Sequence, residues 1–345
     1  MPQEILVTGG TGFIGSHCCV ALMEQGHRVV VVDNLSNSEA EVIDRIAEIT
    51  GSRPAFYALD VRDTQGMDQV LQGHDISAAI HFAGLKAVGE SVAAPLEYFA
   101  NNVGGTIALC QALSRRGIKR LIFSSSATVY GAPDQVPVAE AAPLRPASPY
   151  GHSKAMVEQI LADLARSDPQ WRIGVLRYFN PAGAHESGLI GESPRGTPNN
   201  LVPFLAQVAA GEREFLEIFG NDYPTPDGTG IRDYIHVMDL AEGHGAALAA
   251  LLADGAGFTV NLGSGQGHSV LDVLHAFEAA CGQPIPHRHA PRRPGDVATC
   301  YADPAQALAM LGWESRRDLN SICRDAWRWQ CRKPIKHSSP WGASD

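Results

Sequence analysis

Tyr150 and Lys154 stand four residues apart in the segment Tyr-Gly-His-Ser-Lys. On a helix, residues i and i+4 lie on the same face, so the ammonium would sit beside the phenol. A free tyrosine has a pKa near ~10, and a neighbouring cation, whether this lysine or a charged cofactor ring, favours its phenolate. To act as a base near neutrality the phenol needs its pKa lowered by about 3 units, or roughly 4 kcal/mol of differential stabilisation. The pair predicts a general base if other elements bring a cofactor and a substrate to it.

The N-terminal part of the chain has the pattern of a strand, a glycine-rich turn, a helix, a second strand and an acid. Such glycines allow a tight turn and let the backbone approach a pyrophosphate at the helix N-terminus. The acid can bind both hydroxyls of an adenosine ribose and repels a 2′-phosphate, which favours NAD over NADP. The parts are the strand 4–8, the glycines Gly9, Gly12 and Gly15, a helix to about Gly26, the strand 28–32 and Asp33. This order predicts a dinucleotide-binding βαβ unit.

Strands and helices continue to alternate to residue 178, which predicts an α/β fold with a doubly wound, mostly parallel sheet. Strands are predicted at 55–59, 77–82, 120–124 and 172–178, and helices at 39–49, 91–115 and 150–166. Ligands of such sheets bind beyond the carboxyl ends of the strands. Residues at predicted strand ends are therefore expected to share one site, and they are Asp33, Asp60, Lys86, Ser126 and Phe179.

After residue 179 the chain becomes rich in loops, at 180–198, through 230 and at 287–303. Helices are predicted at 200–210, 239–253 and 270–281, a strand at 217–220, and two strands that return to the main sheet at 233–237 and 259–262. We therefore predict an NAD-binding domain at 1–180 plus about 233–262. A smaller, loop-rich α/β cap for the substrate is predicted at 181–232 plus about 263–332, and residues 333–345 as a flexible tail.

Composition limits the partners of the chain. A net charge of −10, a pI of about 5.7 and no basic run argue against a nucleic-acid or membrane surface. No signal-peptide pattern and no apolar stretch of membrane-spanning length is seen. The seven cysteines lack C-x-x-C spacing, which predicts reduced thiols and a cytoplasmic protein. His287 and His289 have no acid or cysteine pattern nearby, so no metal site is predicted.

Eight motifs between about residues 4 and 330 resemble the extended short-chain dehydrogenase/reductase superfamily, and within it the enzymes that epimerise UDP-hexoses at C4. They are Thr8–Gly15, Asp33–Leu35, His81–Ala87, Ser124–Gly131, Tyr150–Lys154, Arg177–Asn180, Pro198–Leu201 and Asp233–Leu240. The resemblance implies a reaction, a cofactor site, a substrate site and a dimer.

The implied reaction interconverts UDP-glucose and UDP-galactose, as in galactose metabolism. Tyr150 removes the C4 hydroxyl proton while NAD⁺ takes the C4 hydride, and the 4-keto sugar turns its other face before the hydride returns. The reaction is redox-neutral, so NAD should stay bound between turnovers. Lys154 would lower the pKa of Tyr150 and bind the nicotinamide ribose. Ser126 would hold the hydroxyl and relay its proton, with a strand-end cap as the alternative role.

The implied cofactor site has Phe13 and Ile14 at the pyrophosphate, residues 33–38 at the adenosine ribose, and Asp60 with Val61 at the adenine. The full set is Gly9, Gly12, Phe13, Ile14, Gly15, Asp33, Asn34, Leu35, Ser36, Asn37, Ser38, Asp60, Val61, Phe82, Ala83, Gly84, Leu85, Lys86, Asn101, Ser124, Tyr150, Lys154 and Phe179. A solvated loop lysine is the alternative for Lys86.

The implied substrate has two phosphates that need cations, which arginine forks supply. Arg232 and Arg293 are the candidates, while residues 217–219 would meet the uracil and Asp296 its ribose, by resemblance. The full set is Lys86, Ser126, Tyr150, Asn180, Asn200, Leu201, Glu217, Ile218, Phe219, Arg232, Tyr234, Arg293, Asp296 and Cys300. Core packing is the alternative for Phe219. The family also implies a homodimer through helices near 91–115 and 156–166.

Cys300 is a small residue at a position where the family also has a bulky one. In the family, the position a few residues after the turn at 293–296 holds a tyrosine or a small residue, and it controls room for a 2-acetamido group on the sugar. Because cysteine is small, we expect UDP-N-acetylglucosamine and UDP-N-acetylgalactosamine to interconvert as well. An inert buried thiol is the alternative.

Two other functions share this fold. A nucleotide-sugar 4,6-dehydratase needs an added acid, but residues 125–128 are Ser-Ser-Ala-Thr. A non-catalytic NAD-binding regulator need not retain Ser126, Tyr150 and Lys154 together, and this chain has all three.

Overall fold

Continuous apolar runs such as Val29–Val32 are typical of strands covered on both faces. The computed structural model describes residues 2–253, 255–293 and 295–332, and its longer strands coincide with these runs. In chain order the strands are β1 (Glu4–Thr8), β2 (Arg28–Asp33), β3 (Ala55–Ala58), β4 (Ile76–His81), β5 (Arg120–Ser126), β6 (Arg172–Tyr178), β7 (Asn180–Ala182), β8 (Leu216–Phe219), β9 (Ile231–Arg232), β10 (Tyr234–His236), β11 (Phe258–Leu262), β12 (His268–Ser269), β13 (His287–Ala290) and β14 (Thr299–Cys300).

Seven strands form one parallel sheet in the order β11-β6-β5-β4-β1-β2-β3. From β1 the chain first builds outward through β2 and β3, and then returns to add β4, β5 and β6 on the other side of β1. The crevice beyond the carboxyl ends of strands at such a reversal is where doubly wound sheets bind ligands. The glycine-rich turn leaves β1 at this point.

Helices cover both faces of the sheet. In chain order they are α1 (Phe13–Glu24), α2 (Val42–Thr50), α3 (Thr64–Gln72), α4 (Val88–Ala93), α5 (Pro95–Tyr98), α6 (Gly104–Arg115), α7 (Pro149–Ser167), α8 (Leu201–Ala209), α9 (Val237–Leu252), α10 (Val270–Cys281), α11 (Ala305–Leu311) and α12 (Leu319–Arg332). One core cluster joins the sheet to α1, α2 and α9, and a second joins it to α3, α6 and α7. The predicted α/β fold class is thereby confirmed.

A third core cluster lies away from the main sheet, among α8, α10 and α12. Leu205, Phe277 and Ile322 are fully buried in it. Three small sheets accompany these helices, with strand orders β10-β7, β12-β9-β14 and β13-β8. This second body is made of chain segments after β6 and is smaller than the main sheet with its helices; we refer to it as the cap.

The single helix predicted at 91–115 is wrong. Ala94 leaves the helical region, with φ −131° and ψ 58°, immediately before Pro95. A residue that precedes proline is disfavoured in the α region because the proline ring crowds its backbone. The segment therefore divides into α4, α5, a π-helical turn at Phe99–Val103 and α6.

Part of the predicted second-half topology is also wrong. The strand expected at 233–237 does not return to the main sheet, because β10 pairs with β7 in a separate two-stranded sheet. Only β11, of the two strands expected to return, joins the main sheet, beside β6. The loops predicted at 180–198 and 287–303 contain the short strands β7, β13 and β14. The tail predicted at 333–345 lies outside the described residues.

His81 ends β4 in the interior, where its two ring nitrogens lie 2.7 Å from the Thr8 hydroxyl and 3.0 Å from the Thr106 hydroxyl. The Thr106 hydroxyl donates to the Asn102 carbonyl, so it accepts from the imidazole Nε2–H, and Nδ1 accepts from Thr8. This arrangement holds a neutral imidazole. Burial, together with the charge of Lys154, lowers the pKa of His81 from 6.5 to about 3.

This pKa predicts acid sensitivity. Below pH 6.5 the unfolded chain takes up a proton at His81 that the folded protein does not, so the free energy of unfolding falls as the pH drops toward 3. Between pH 7.5 and 5 the loss from this residue should be about 2 kcal/mol. In urea titrations at both pH values, His81→Gln should lose less stability on acidification than the parent. The exposed control His287→Gln should behave like the parent, and an equal loss in all three proteins would contradict the assignment.

Candidate active site

The glycine-rich turn after β1 forms a cradle without side chains. Gly9 has φ +73°, and a Cβ on Gly15 would lie 2.1 Å from the Gly9 carbonyl oxygen. The N-cap of α1 is Gly12, with no side-chain cap and no acid in the first turn. The first backbone N–H groups of α1 are therefore open to an anion, as a bound pyrophosphate requires. These features fit the pyrophosphate of a dinucleotide such as NAD.

Asp33 is buried at the end of β2 and organises the loop that comes after it. One carboxylate oxygen accepts from the Thr11 N–H at 3.1 Å, and the other from the Leu35 N–H at 2.9 Å and the Ser38 hydroxyl at 3.2 Å. Leu35 has φ +58° in this tight turn. The acid thus joins the glycine-rich turn to the loop expected at the adenosine ribose.

Asp60 lies after β3 on the same edge. Arg62 holds it with two side-chain bonds of 2.9 and 2.7 Å, and Asn34 donates to it at 3.0 Å. Hydrogen bonds from Arg62 keep the pKa of Asp60 well below its usual range. The side chain of Val61 packs in the core beneath, so only its backbone can face an adenine.

Helix α7 carries the tyrosine and the lysine to the same edge of the sheet. Ser148 caps it by accepting from the Gly151 N–H at 3.1 Å, which places Tyr150 in the first turn. The Lys154 ammonium is buried, donates to the Ser124 carbonyl at 2.7 Å and lies 5.9 Å from the Tyr150 ring centroid. The predicted shared face of the pair is therefore present.

The pKa values of the pair oppose the simple expectation. Burial lowers the pKa of Lys154 to about 8, against the raising effect of Glu158. Tyr150 is half-buried as a residue, but its hydroxyl lies inside, and burial raises its pKa above 10 while a hydrogen bond from Ser126 lowers it. Burial therefore dominates the pKa of Tyr150, and the lowering expected from Lys154 is not seen.

Ser126 caps the turn after β5, while its role toward the substrate hydroxyl stays a prediction. It ends β5, and its hydroxyl oxygen accepts from the Thr128 N–H at 3.2 Å and the Thr128 hydroxyl at 3.0 Å, as a cap of the 3₁₀ turn Ala127–Val129. Ser126 also lowers the pKa of the Tyr150 phenol, against the effect of burial. The cap fixes the side chain that has this effect.

Asn102 is a positioning residue that was missing from the sequence prediction. It is buried in the π-helical turn and exchanges hydrogen bonds with the Leu85 N–H at 2.8 Å and carbonyl at 3.0 Å, and it also donates to Ser153 at 3.0 Å. It thus ties the loop after β4 to α7. The adjacent asparagines 101 and 102 within a helical pattern are the one signal in the sequence that points to this residue.

Lys86 is half-exposed yet paired, which argues against the solvated-lysine alternative. Its ammonium lies 2.9 Å from Glu192 Oε1, which also accepts from the Asn200 amide at 2.8 Å. The Glu192 side chain is only 8% exposed, and its Oε2 has no hydrogen-bond partner among the described residues. Glu192 was also missing from the sequence prediction, since no local pattern marks this link between the cap and the loop after β4.

In the cap, Phe219 of β8 and Arg232 of β9 lie near other predicted substrate residues. Phe219 is half-buried and lies 4.9 Å from the Arg293 guanidinium, which also bonds Asp296 at 2.9 Å. Arg232 pairs with Cys300 in the register of β9 and β14. Phe219 is absent from the cap core, which counts against its core-packing alternative. Pro294, between Arg293 and Asp296, lies outside the described residues.

Some predicted substrate residues point elsewhere. Ile218 and Tyr234 are buried in the cap core, and burial raises the pKa of Tyr234 to about 12. Their side chains are therefore unsuited to direct ligand contact. Glu217 faces outward and pairs with Arg288 at 2.6 Å. Asn180 is exposed and Leu201 half-buried at the beginning of α8.

Within the described ranges, no group of His, Cys, Asp and Glu could hold a metal ion. None of the helices in this part of the chain is long and apolar enough to span a membrane.

The sequence and the fold resemble those of known enzymes that act on nucleotide sugars. A family model described as GDP-mannose 4,6 dehydratase matches residues 6–326. A UDP-glucose 4-epimerase of Bacillus subtilis (strain 168) is 57% identical over 328 residues, which cover 95% of this chain and 97% of that protein.

Solved structures agree. The UDP-glucose 4-epimerase of Stenotrophomonas maltophila, with bound NAD and formylated UDP-arabinopyranose, has a TM-score of 0.94 at 54% identity and covers 95% of this chain and 98% of its own. The enzyme of Bifidobacterium longum, with NAD⁺ and UDP, has a TM-score of 0.93 at 49% identity and covers 96% and 99%.

The site and the family model together define a nucleotide-sugar enzyme of the NAD-binding α/β class. The full-length relatives narrow this: the chain belongs to the UDP-glucose 4-epimerase family. The predicted family, the epimerase class and NAD as the family's cofactor are confirmed.

Proposed function

We propose that the chain interconverts UDP-glucose and UDP-galactose by oxidation and reduction at sugar C4. The observation that carries this proposal is the grouping of the buried Lys154 with the half-buried Tyr150 and Ser126 at the carboxyl edge of the sheet, beside the glycine cradle. Family membership supports the choice of reaction. In this proposal residues 1–180 and 233–262 bind NAD, and residues 181–232 and 263–332 bind the UDP-sugar.

Bound NAD supplies the hydride acceptor and donor for sugar C4. The Tyr150 oxygen takes the proton of the C4 hydroxyl, and Ser126, which lowers the pKa of the phenol, would hold the same hydroxyl. Lys154 supplies positive charge from behind. When the other face of the ketone is reduced, Tyr150 returns the proton, so one proton and one hydride leave and come back, and no outside oxidant is needed.

The substrate's nucleotide is assigned to the cap. The positive charges of Arg232 and Arg293 both lower the pKa of the Tyr234 phenol, against the effect of burial, so the two guanidinium groups act in one region of the cap. Two guanidinium groups suit a diphosphate. Phe219 offers a half-exposed ring for the uracil, and Asn200 and Lys86, joined through Glu192, are assigned to the sugar.

The test uses UDP-galactose and purified protein without added NAD. Production of UDP-glucose without release of NADH is expected. Tyr150→Phe should lower kcat by about 10²–10⁴, since it removes the proton acceptor, while the content of bound NAD is unchanged. Retention of near-parent turnover in Tyr150→Phe would refute the role of the phenol as base.

A 4,6-dehydratase is the second candidate, because the matching family model carries that description. Its chemistry requires an acid that protonates and eliminates across C5 and C6, and the positions after Ser126 are Ala127 and Thr128. In the same assay, a stable 4-keto-6-deoxy product would establish this alternative, and absence of turnover would favour a non-catalytic NAD-binding protein.

Acceptance of N-acetylated UDP-hexoses is the finer part of the proposal. Cys300 is half-buried on β14 beside Arg232, so a short side chain stands next to a proposed diphosphate ligand. Burial raises the pKa of its thiol, which suits a space-determining rather than a reactive role. A tyrosine there would fill space that a 2-acetamido group needs.

Cys300→Tyr should therefore lower kcat/KM for UDP-N-acetylglucosamine by about 10–100-fold and change that for UDP-galactose by no more than a few-fold. The matched control is Cys331→Tyr, at an exposed position of α12. A coupled assay of both sugar pairs makes the comparison. Equal effects on the two sugars, or no effect on either, would remove Cys300 from its assigned role.

A homodimer is also proposed. Helices α4 to α7 carry large exposed apolar side chains, among them Val92, Leu96 and Met156, with Leu96 81% exposed. A patch of this kind on two adjacent helical segments is typical of an interface. Participation in galactose metabolism and a cytoplasmic location remain predictions that rest on the proposed activity and on the seven unpaired cysteines.

A further inference from the structure

The segment 190–195, between β7 and α8, is attached on both sides of the glycine-rich turn; we call it the strap. At one end, Glu192 pairs with Lys86 in the loop after β4. At the other end, Arg195 donates to the Ser36 carbonyl at 2.9 Å and to the Ser38 carbonyl at 2.8 Å, in the loop after β2. Because β1 lies between β4 and β2, the strap must pass over the turn that leaves β1.

A groove lies between the strap and this turn. Gly12 and Phe13 form one side of it and Ser38 another, while Gly191 and Ser193 of the strap close it from the cap. The groove thus coincides with the cradle that fits a pyrophosphate and with the loop expected at the adenosine ribose. A dinucleotide bound there would be covered by the strap.

Helix α12 supports the strap from behind. The Trp329 indole N–H donates to the Glu192 carbonyl at 3.1 Å. A Cβ on Gly191 would come within 2.4 Å of the Trp329 ring, so only glycine fits at this contact. The Arg45 guanidinium lies 5.6 Å from the centroid of the same ring. With this support, the strap is held between the cap and the NAD-binding sheet.

Arg195 also holds the loop after β2 in place. Both carbonyls that it binds belong to the loop organised by Asp33, and Ser38 also donates to that acid. Its two terminal amino groups are occupied by these carbonyls, so the residue serves as a fastener of the loop. Release of Arg195 would free the strap and loosen the ribose loop together.

We propose that the strap retains NAD, and that it must lift, with Arg195 released, before NAD leaves. Retention of NAD by the strap rests on the proposed function in one respect, the advantage that it brings to the enzyme. A redox-neutral epimerase regenerates its NAD⁺ and can use the same molecule again. The NAD release itself can be measured without any sugar substrate, so the two proposals fail separately.

The test measures exchange of bound NAD for radiolabelled NAD in the purified, NAD-loaded protein. Arg195→Met should exchange at least about tenfold faster, since both fastening hydrogen bonds are lost. Glu192→Gln, which removes the charge at the other end and keeps the side-chain size, should also exchange faster. The control is Arg53→Met. Arg53 is an exposed arginine beyond the end of α2 that pairs with Asp44 of that helix, and this variant should exchange NAD at the parent's rate.

If both Arg195→Met and Glu192→Gln have thermal midpoints near the parent's and exchange NAD no faster than the parent, the strap does not retain NAD. If one variant fails to fold, the exchange rate of the other variant decides between the two outcomes. Faster exchange in a protein that shows no epimerisation of UDP-galactose would keep the strap and reject the proposed function. Normal epimerisation with parent-like exchange would do the reverse.

Discussion

A buried ammonium constrains this molecule more than any other single feature. Lys154 lies in the interior, and its charge is tolerated there because the Ser124 carbonyl accepts one hydrogen bond at 2.7 Å and Glu158, one turn along α7, supplies negative charge. Glu158 is itself buried, pairs with Arg177 of β6 at 2.7 Å and hydrogen-bonds Ser125. Strands β5 and β6 and helix α7 are therefore joined by one polar network. The same network fixes the helix turn that presents Tyr150.

The carboxyl edge of the sheet gathers residues that are distant in the chain. The glycine cradle lies after β1, Asp33 ends β2, Lys86 lies after β4 and Ser126 ends β5. Parallel strands place their carboxyl ends at one edge, so a shared site is a consequence of the topology. The cap adds basic side chains above this edge to a chain with a net charge of −10. Local placement of charge, rather than overall charge, decides which anions can bind.

Much of this could be predicted from sequence, because the signals are local. The apolar runs of β1 and β2, the spacing of Gly9, Gly12 and Gly15, and the four-residue interval from Tyr150 to Lys154 each report on neighbouring residues. The partner of β10 is not local, since both the main sheet and β7 were available to a short apolar strand. The contacts of Lys86 with Glu192 and of Arg195 with Ser36 span more than one hundred residues, and no periodic pattern encodes them. The sign of the Tyr150 pKa shift depended on how deeply its hydroxyl is buried, which only the packed structure reveals.

We infer that Tyr150 becomes a base only when the charge of bound NAD⁺ acts beside that of Lys154, since burial raises the pKa of the phenol. The most direct measurement is an ultraviolet difference titration of the phenol, the parent protein minus Tyr150→Phe, in the presence and absence of NAD⁺. Tyr150 is expected to have a pKa above 10 without cofactor and a pKa lower by about 3 units with NAD⁺ bound. An equal pKa in the two states, or a lower one without NAD⁺, would exclude activation of the phenol by the cofactor.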